Sequence, residues 1–256
     1  LYTEADAIQA VELIDEVPFR QRTQIAPNTF VMFHPSGHIL GSAFVVLEVE
    51  GSTLLFTGDM GRTQHPILVS PDLPPQQHYD AVITESTYGD RVHETPGTVV
   101  ADIISSTIGR GGSVLIPAFA VDRTEVILIE LGKLMKAGSI PRVPIYVDSP
   151  MALSALEFYR DAIDAGDSEI RPEVVEVWRG RDIFDSGTLH EMRTVDESKS
   201  LNSVGGPHII VSASGMATGG RVVHHLARML PNPKNTVLLV GFQAASTRGR
   251  LLEQGD

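Results

Sequence analysis

Apolar and polar positions fall into two different rhythms along this chain. Up to about residue 90 the apolar runs are short. "TFVMFH" (29–34) reads as a strand, and "AFVVLEVEGSTLLFTGD" (43–59) reads as a hairpin with its turn near Glu50, Gly51 and Ser52. At the head, "LYTEADAIQAVELI" repeats apolar residues at helical spacing behind Thr3 and Asp6, a capping-box pattern with Asp in the acidic position. "PILVSPDLPPQQHYD" (66–80) is proline-rich and polar, hence a loop, and "DAVITES" (80–86) reads as a buried strand that ends in polar residues. This first part is β-rich.

The rhythm changes after Pro96 and Gly97, which mark a linker at 92–98. From there, helices predicted at 98–108, at 122–136, from about 150, at 219–229 and from 247 alternate with strands at 112–119, 143–150, 207–214 and 235–242, and a poorly periodic polar stretch covers 179–206. Strand-then-helix repetition predicts a parallel sheet covered by helices on both faces. The expected class is α/β, in two domains: 1–97 and 98–256.

Composition narrows the chemistry. The chain has 256 residues and no cysteine, which excludes a disulfide scaffold and any thiolate metal site. A metal would be held by His, Asp or Glu, a donor set suited to zinc or manganese. No apolar run reaches membrane-spanning length, so no membrane partner is expected and a cytoplasmic location fits. The net charge is −12, opposite in sign to the basic footprint of domains that grip nucleic acid by bulk charge. Binding of a nucleic acid would therefore come from a local site, where two divalent ions would add about four positive charges.

Chemistry-bearing residues gather at predicted strand ends. His38 sits in the Gly-flanked turn of "HPSGHILGSA" (34–43), and Asp59 follows the apolar strand of "FTGDMGR" (56–62). In the second half, Asp122, Asp148, Ser212, Ser214, Gly215 and Arg248 all fall where a strand hands over to a helix. Ligands of parallel α/β sheets collect at the carboxyl ends of strands, and helix N-termini favour anions. Taken one at a time, such Ser, Thr and Asp residues are ordinary helix caps, a single His is more often a packed or surface group, and single Arg residues are solvated surface. His224 and His225 are adjacent on one helix, point in different directions and form no chelate.

Taken together and in order, "SGHILGSA", "FTGDMGR", "ITESTYGDRVH", "VLIPAFAVDRTEVIL", "YVDSPMA" and "IIVSASGMATGGRVVHHL" resemble the β-CASP branch of the metallo-β-lactamase superfamily, a group of RNA-processing nucleases. The resemblance implies a partial metallo-β-lactamase αββα domain followed by a β-CASP cap domain, with RNA, most simply single-stranded, in the cleft between them. It implies two-metal phosphodiester hydrolysis with zinc, manganese being an admissible substitute. It makes His38 a ligand of one metal, Asp59 the bridging carboxylate, and Glu85 the acidic residue that helps a histidine act on the leaving group. Ser212, Ser214, Gly215 and Arg248 would meet a substrate phosphate. A homodimer is compatible with it.

Two kinds of departure qualify the likeness. No His-x-His occurs in the chain, so the family's His-x-His-x-Asp-His run is absent, and the segment "ASTRGR" (245–250) stops short of the later histidine motifs. The chain opens on Leu, and the expectation is an internal piece of a longer enzyme that binds zinc weakly and cleaves RNA negligibly alone. In addition, Asp122 stands where the family often has Gly, and Ala245-Ser246 where it commonly has Glu-Gly. The readings rank as RNA-cleaving hydrolase first, then a non-catalytic β-CASP subunit of an RNA-processing complex, then a hydrolase of small substrates, which would have no use for the second α/β half.

Overall fold

The computed structural model describes residues 2–90 and 99–255. Residues 1–91 and 92–256 form two compact units. The expected linker at 92–98 lies outside the described residues.

The first unit opens with helix α1 (Glu4–Val11), started by a true capping box: Thr3 Oγ1 accepts from the Asp6 N–H, and the Asp6 carboxylate accepts from the Thr3 N–H at 2.7 Å. None of its residues is buried. Strands β1 (Thr23–Ala26), β2 (Thr29–Pro35), β3 (Ala43–Val49), β4 (Ser52–Phe56) and β5 (Ala81–Ile83) then form one sheet in that order. The first four pair antiparallel, and β5 joins β4 in parallel. The β3–β4 hairpin closes on Glu50 and Gly51, at φ 49° and 88°, the two positive φ values of a type I′ turn, whose twist matches that of the flanking strands. Phe44, Val46 and Leu55 form the packed face, with Met32, Met60 and Tyr79 against them.

The sequence of β5 reads as a buried strand, and here the structure differs. Val82 is 56% and Ile83 46% exposed. Among the described residues the strand is the sheet edge, bonded on one side, and an apolar run of three residues does not reveal whether a second layer covers it.

The second unit alternates as expected: α2 (Val99–Gly109), β6 (Val114–Pro117), α3 (Arg123–Lys136), β7 (Ile145–Val147), α4 (Pro150–Ala165), α5 (Pro172–Trp178), β8 (Leu189–Glu191), α6 (Val195–Ser200), β9 (Ile209–Ser212), α7 (Arg221–Met229), β10 (Thr236–Val237) and α8 (Arg248–Gln254). The sheet order is β10-β6-β9-β7-β8, all parallel. Every residue of β6 and β9 is buried, which is why "VLIP" and "IIVS" run apolar with little alternation. The run from 150 to 178 is two helices: Gly166, left-handed at φ 71°, caps α4, and Pro172 starts α5. The polar stretch at 179–206 yields only the short β8 and α6. Leu115, Ile210, Val222, Leu226 and Met229 form a core that seats α7 on the middle strands.

Candidate functional site

In the second unit, the carboxyl end of β7 carries Asp148, which is fully buried. Its Oδ2 accepts from Ser198 Oγ at 2.6 Å and pairs with His225 Nε2 at 2.6 Å, while Oδ1 accepts from Arg221 at 2.7 Å. Burial pushes the Asp148 carboxyl up, but hydrogen bonds from His225, Ser198 and Arg221, together with the His225 charge, outweigh it and hold the group below the usual carboxylate range. The Asp148 carbonyl also accepts from Ser212 Oγ at 2.8 Å.

That arrangement fixes a loop. Ser212 ends β9 and Arg221 begins α7, so both stems of residues 213–220 are tied to one residue of the neighbouring strand. Arg221 is spent there, because it also donates to the Met192 and Arg193 carbonyls. Within the loop the Ala213–Ser214 peptide is cis, and Ser214 Oγ accepts from the Thr218 N–H at 3.1 Å. Arg248 donates to the Ala217 carbonyl at 2.6 Å, Gln243 Nε2 to the Gly215 carbonyl at 3.2 Å, and the Gly249 N–H to the Met216 carbonyl at 2.9 Å. Gly215 lies close against Phe119: a Cβ there would stand 3.0 Å from the Phe119 ring and backbone.

Of the four residues expected to meet phosphate, Ser212 faces inward and is 1% exposed, Gly215 is buried, Ser214 is half-buried and Arg248 is exposed. Thr218 joins them as an exposed hydroxyl. The N-cap of α7 is Gly220 (φ 79°), whose lack of a side chain leaves the first turn without a side-chain cap. Uncapped N–H groups at a helix start favour an anion.

Taken singly, neither His225 nor Arg221 stands out in the sequence. The signal was present nonetheless: residues 221 and 225 are one helical turn apart and share a face, and an Asp ends the strand "IYV".

At the carboxyl end of β6, Asp122 has φ 68°, ψ −46°, and the Arg123 N–H bonds back to the Val121 carbonyl at 3.0 Å, so Asp122 centres a strained γ-turn. It accepts from Tyr159 OH at 3.0 Å. In the first turn of α3, Glu125 is fully buried, and neither carboxylate oxygen makes a hydrogen bond among the described residues. Burial pushes its carboxyl up to about 8. The backbone N–H groups near residues 122 and 125 lower it less, and the Asp122 charge adds to the rise.

In the first unit, His38 lies in a turn organised by Ser42, whose Oγ accepts the His38 and Ile39 N–H groups at 3.1 Å each. Asp59 lies past β4 in a loop pressed onto that turn. The Gly61 N–H donates to the Ser36 carbonyl at 2.8 Å, and a Cβ on Gly61 would collide with the Gly37 carbonyl. The result sets His38 Nε2 3.8 Å from Asp59 Oδ2, both side chains open to solvent. Glu85 is exposed just past β5, and its N–H reaches Thr57 Oγ1 just past β4 at 3.4 Å, so Glu85 and Asp59 follow the carboxyl ends of parallel neighbours.

The separation of His38 and Asp59 suits two donors on one ion, since ligands about 2.0–2.1 Å from zinc lie roughly 3.4 Å apart in a tetrahedron. The set is short, however: among the described residues no group of three His, Cys, Asp or Glu side chains could hold a metal. A catalytic zinc takes about three protein ligands, so these residues alone do not fit a complete centre. His34 is not a third donor. Its ring stacks on Phe44 at 4.8 Å and its Nδ1 faces Asp72 at 3.4 Å.

Comparison with known proteins identifies the family. Residues 124–252, about half of the chain, match the Beta-Casp domain. The chain is 39% identical to Ribonuclease TTHA0252 of Thermus thermophilus over 82% of its length, 35% identical to an RNase J-like protein of Methanocaldococcus jannaschii over 99%, and 30% identical to Endoribonuclease ysh1 of Schizosaccharomyces pombe over 98%. It spans 48%, 58% and 32% of those relatives' own lengths. With the motifs in order, the parallel sheet in place and the domain matched, the chain belongs to the β-CASP branch of the metallo-β-lactamase superfamily.

Proposed function

We propose that this chain handles the substrate in an RNA-cleaving hydrolase, which adds water across a phosphodiester bond: the water oxygen joins phosphorus, the ester P–O bond breaks, and the departing oxygen takes a proton. The observation that carries the reading is the loop 213–220, pinned at both stems to Asp148, with the exposed Thr218 hydroxyl and the uncapped start of α7 beside it. A phosphate of the RNA backbone is the anion such a loop accepts. The relatives named as ribonuclease, RNase J-like protein and endoribonuclease support the choice of RNA, and a single strand offers its phosphates most openly. Metal dependence belongs to the same proposal, with zinc as the metal and His38 and Asp59 as two of its donors. Glu85, exposed past the neighbouring strand end, is in this proposal the acidic group that helps a histidine act on the leaving group. No helix among the described residues is long and apolar enough to cross a membrane.

A second reading has its own support: a partner subunit that holds RNA without cutting it, favoured by the lack of a third metal donor among the described residues. One experiment separates the two. End-labelled single-stranded RNA is incubated with the natural gene product, with zinc or with a chelator. Cleavage that the chelator and Asp59→Ala both abolish is the expected result. Binding without cleavage selects the partner reading, and neither binding nor cleavage overturns both.

A further inference from the structure

We propose that the ring of Phe119 stacks on a nucleobase of the strand whose phosphate meets the loop 213–220; this rests on the RNA reading above and gives it a base-contacting site. Phe119 lies just beyond β6, at the same edge of the sheet as the loop. Its neighbour's N–H (Ala118) continues the ladder to the Ser212 carbonyl at 3.1 Å, and its own carbonyl accepts from Thr124 Oγ1 at 2.8 Å. The backbone is therefore held on both sides. One ring edge rests against Gly215, where a Cβ would stand 3.0 Å from Cδ2. Yet the residue is 45% exposed.

An aromatic ring on a backbone held on both sides, half open to solvent and packed against an anion-accepting loop, has a definite use. Beside it, Val121 and Phe242 are each 37% exposed, and Gln243, next to Phe242, holds the Gly215 carbonyl. Apolar planar surface thus borders exposed hydroxyl and guanidinium groups, Thr218 and Arg248. An occupant that satisfies both carries a negative charge and a flat ring within one unit, as a nucleotide does. Stacking on an aromatic ring tolerates any base, because every base has a π-face, so the contact would favour RNA over bare backbone without reading sequence.

The test compares binding of two single strands of equal length, an oligoribonucleotide and an abasic ribose-phosphate strand, to the unaltered chain and to Phe119→Ala, Phe119→Leu and Phe119→Trp. Thermal melts confirm that each variant is folded. The expected result is RNA binding about 5- to 100-fold weaker for Phe119→Ala, a similar loss for Phe119→Leu, which keeps the bulk but not the π-face, retention by Phe119→Trp, and no change with the abasic strand. Equal losses on both strands would mean the ring only props the loop, and would overturn the inference. So would unchanged RNA binding in Phe119→Ala. If the unaltered chain holds both strands equally well, the phosphate reading stands and this one falls. If it holds neither, the RNA reading fails first.

Discussion

His225 Nε2 lies 2.6 Å from Asp148 Oδ2, a contact between residues 77 apart in sequence and both buried. With Arg221 on the other oxygen, it makes Asp148 the single point to which the strand β7, the helix α7 and both stems of the loop 213–220 are tied.

Asp148→Asn keeps the size and removes the charge, leaving Arg221 and His225 facing a neutral amide. The expected cost is about 3–5 kcal/mol of stability at neutral pH, the scale for breaking a buried ion pair. Because the folded-state pKa is depressed, the charge contributes stability above the unfolded-state value and loses it as pH falls through the folded one. Urea unfolding at pH 7 and at acid pH checks this. The variant should lose most at pH 7 and converge with the parent in acid, and equal losses at both would show that charge is not the reason.

Glu125 works in the opposite direction. Its carboxyl, ordinarily near 4.5, is pushed up to about 8, first by burial. Between those values the folded protein holds a proton that the unfolded chain has released. Stability therefore falls as pH rises, by up to about 1.4 kcal/mol per unit, and levels off above about 8. Glu125→Gln, which cannot ionise, should flatten that slope and be the more stable protein at pH 8. Denaturant midpoints of both proteins at pH 6, 7 and 8 decide it, and parallel slopes would show that Glu125 does not titrate there.

Two of the non-glycine residues held at positive φ are Asp122, at 68°, and Ser246, at 67°. A side chain in that region costs about 1–2 kcal/mol, offset in part by the extra unfolded-state freedom of glycine. Ser246→Gly should therefore stabilise by about 0.5–1 kcal/mol. Asp122→Gly should gain nothing net, since it also breaks the hydrogen bond from Tyr159 OH, worth about 1 kcal/mol. Melting temperatures of the two variants provide the comparison. A Ser246→Gly variant less stable than the parent would mean that its hydroxyl matters more than its backbone.

His38 and Asp59 alone should hold zinc weakly, because two exposed donors 3.8 Å apart leave the other coordination positions to water. Titration calorimetry of this 256-residue chain should show no tight stoichiometric site, and a chelator should leave its melting temperature unchanged. A tight 1:1 site lost in His38→Ala would prove the donor set larger than these two residues.

The sequence alone determined the order and type of most elements, because burial on one face of a helix or on both faces of a parallel strand is written as a local period. It placed "VLIP" and "IIVS" on strands of a parallel sheet, the capping box at Thr3 and the hairpin turn near Glu50, Gly51 and Ser52. It also brought Asp59 and the 212–215 loop forward as candidates, since strand ends are where an α/β fold presents chemistry, with His38 in its Gly-flanked turn, and the family resemblance added Glu85. Only the tertiary structure decided which of those groups face inward. Ser212 turns to the Asp148 carbonyl, and His225 goes from bystander to buried partner of Asp148. Only it showed β5 as an exposed edge among the described residues and Asp122 at the centre of a strained turn. The reason is physical: periodicity reports what each residue does to its own turn or strand. A buried charge is set by partners dozens of residues away, and the strain at a turn by how the chain must bend to join two packed elements.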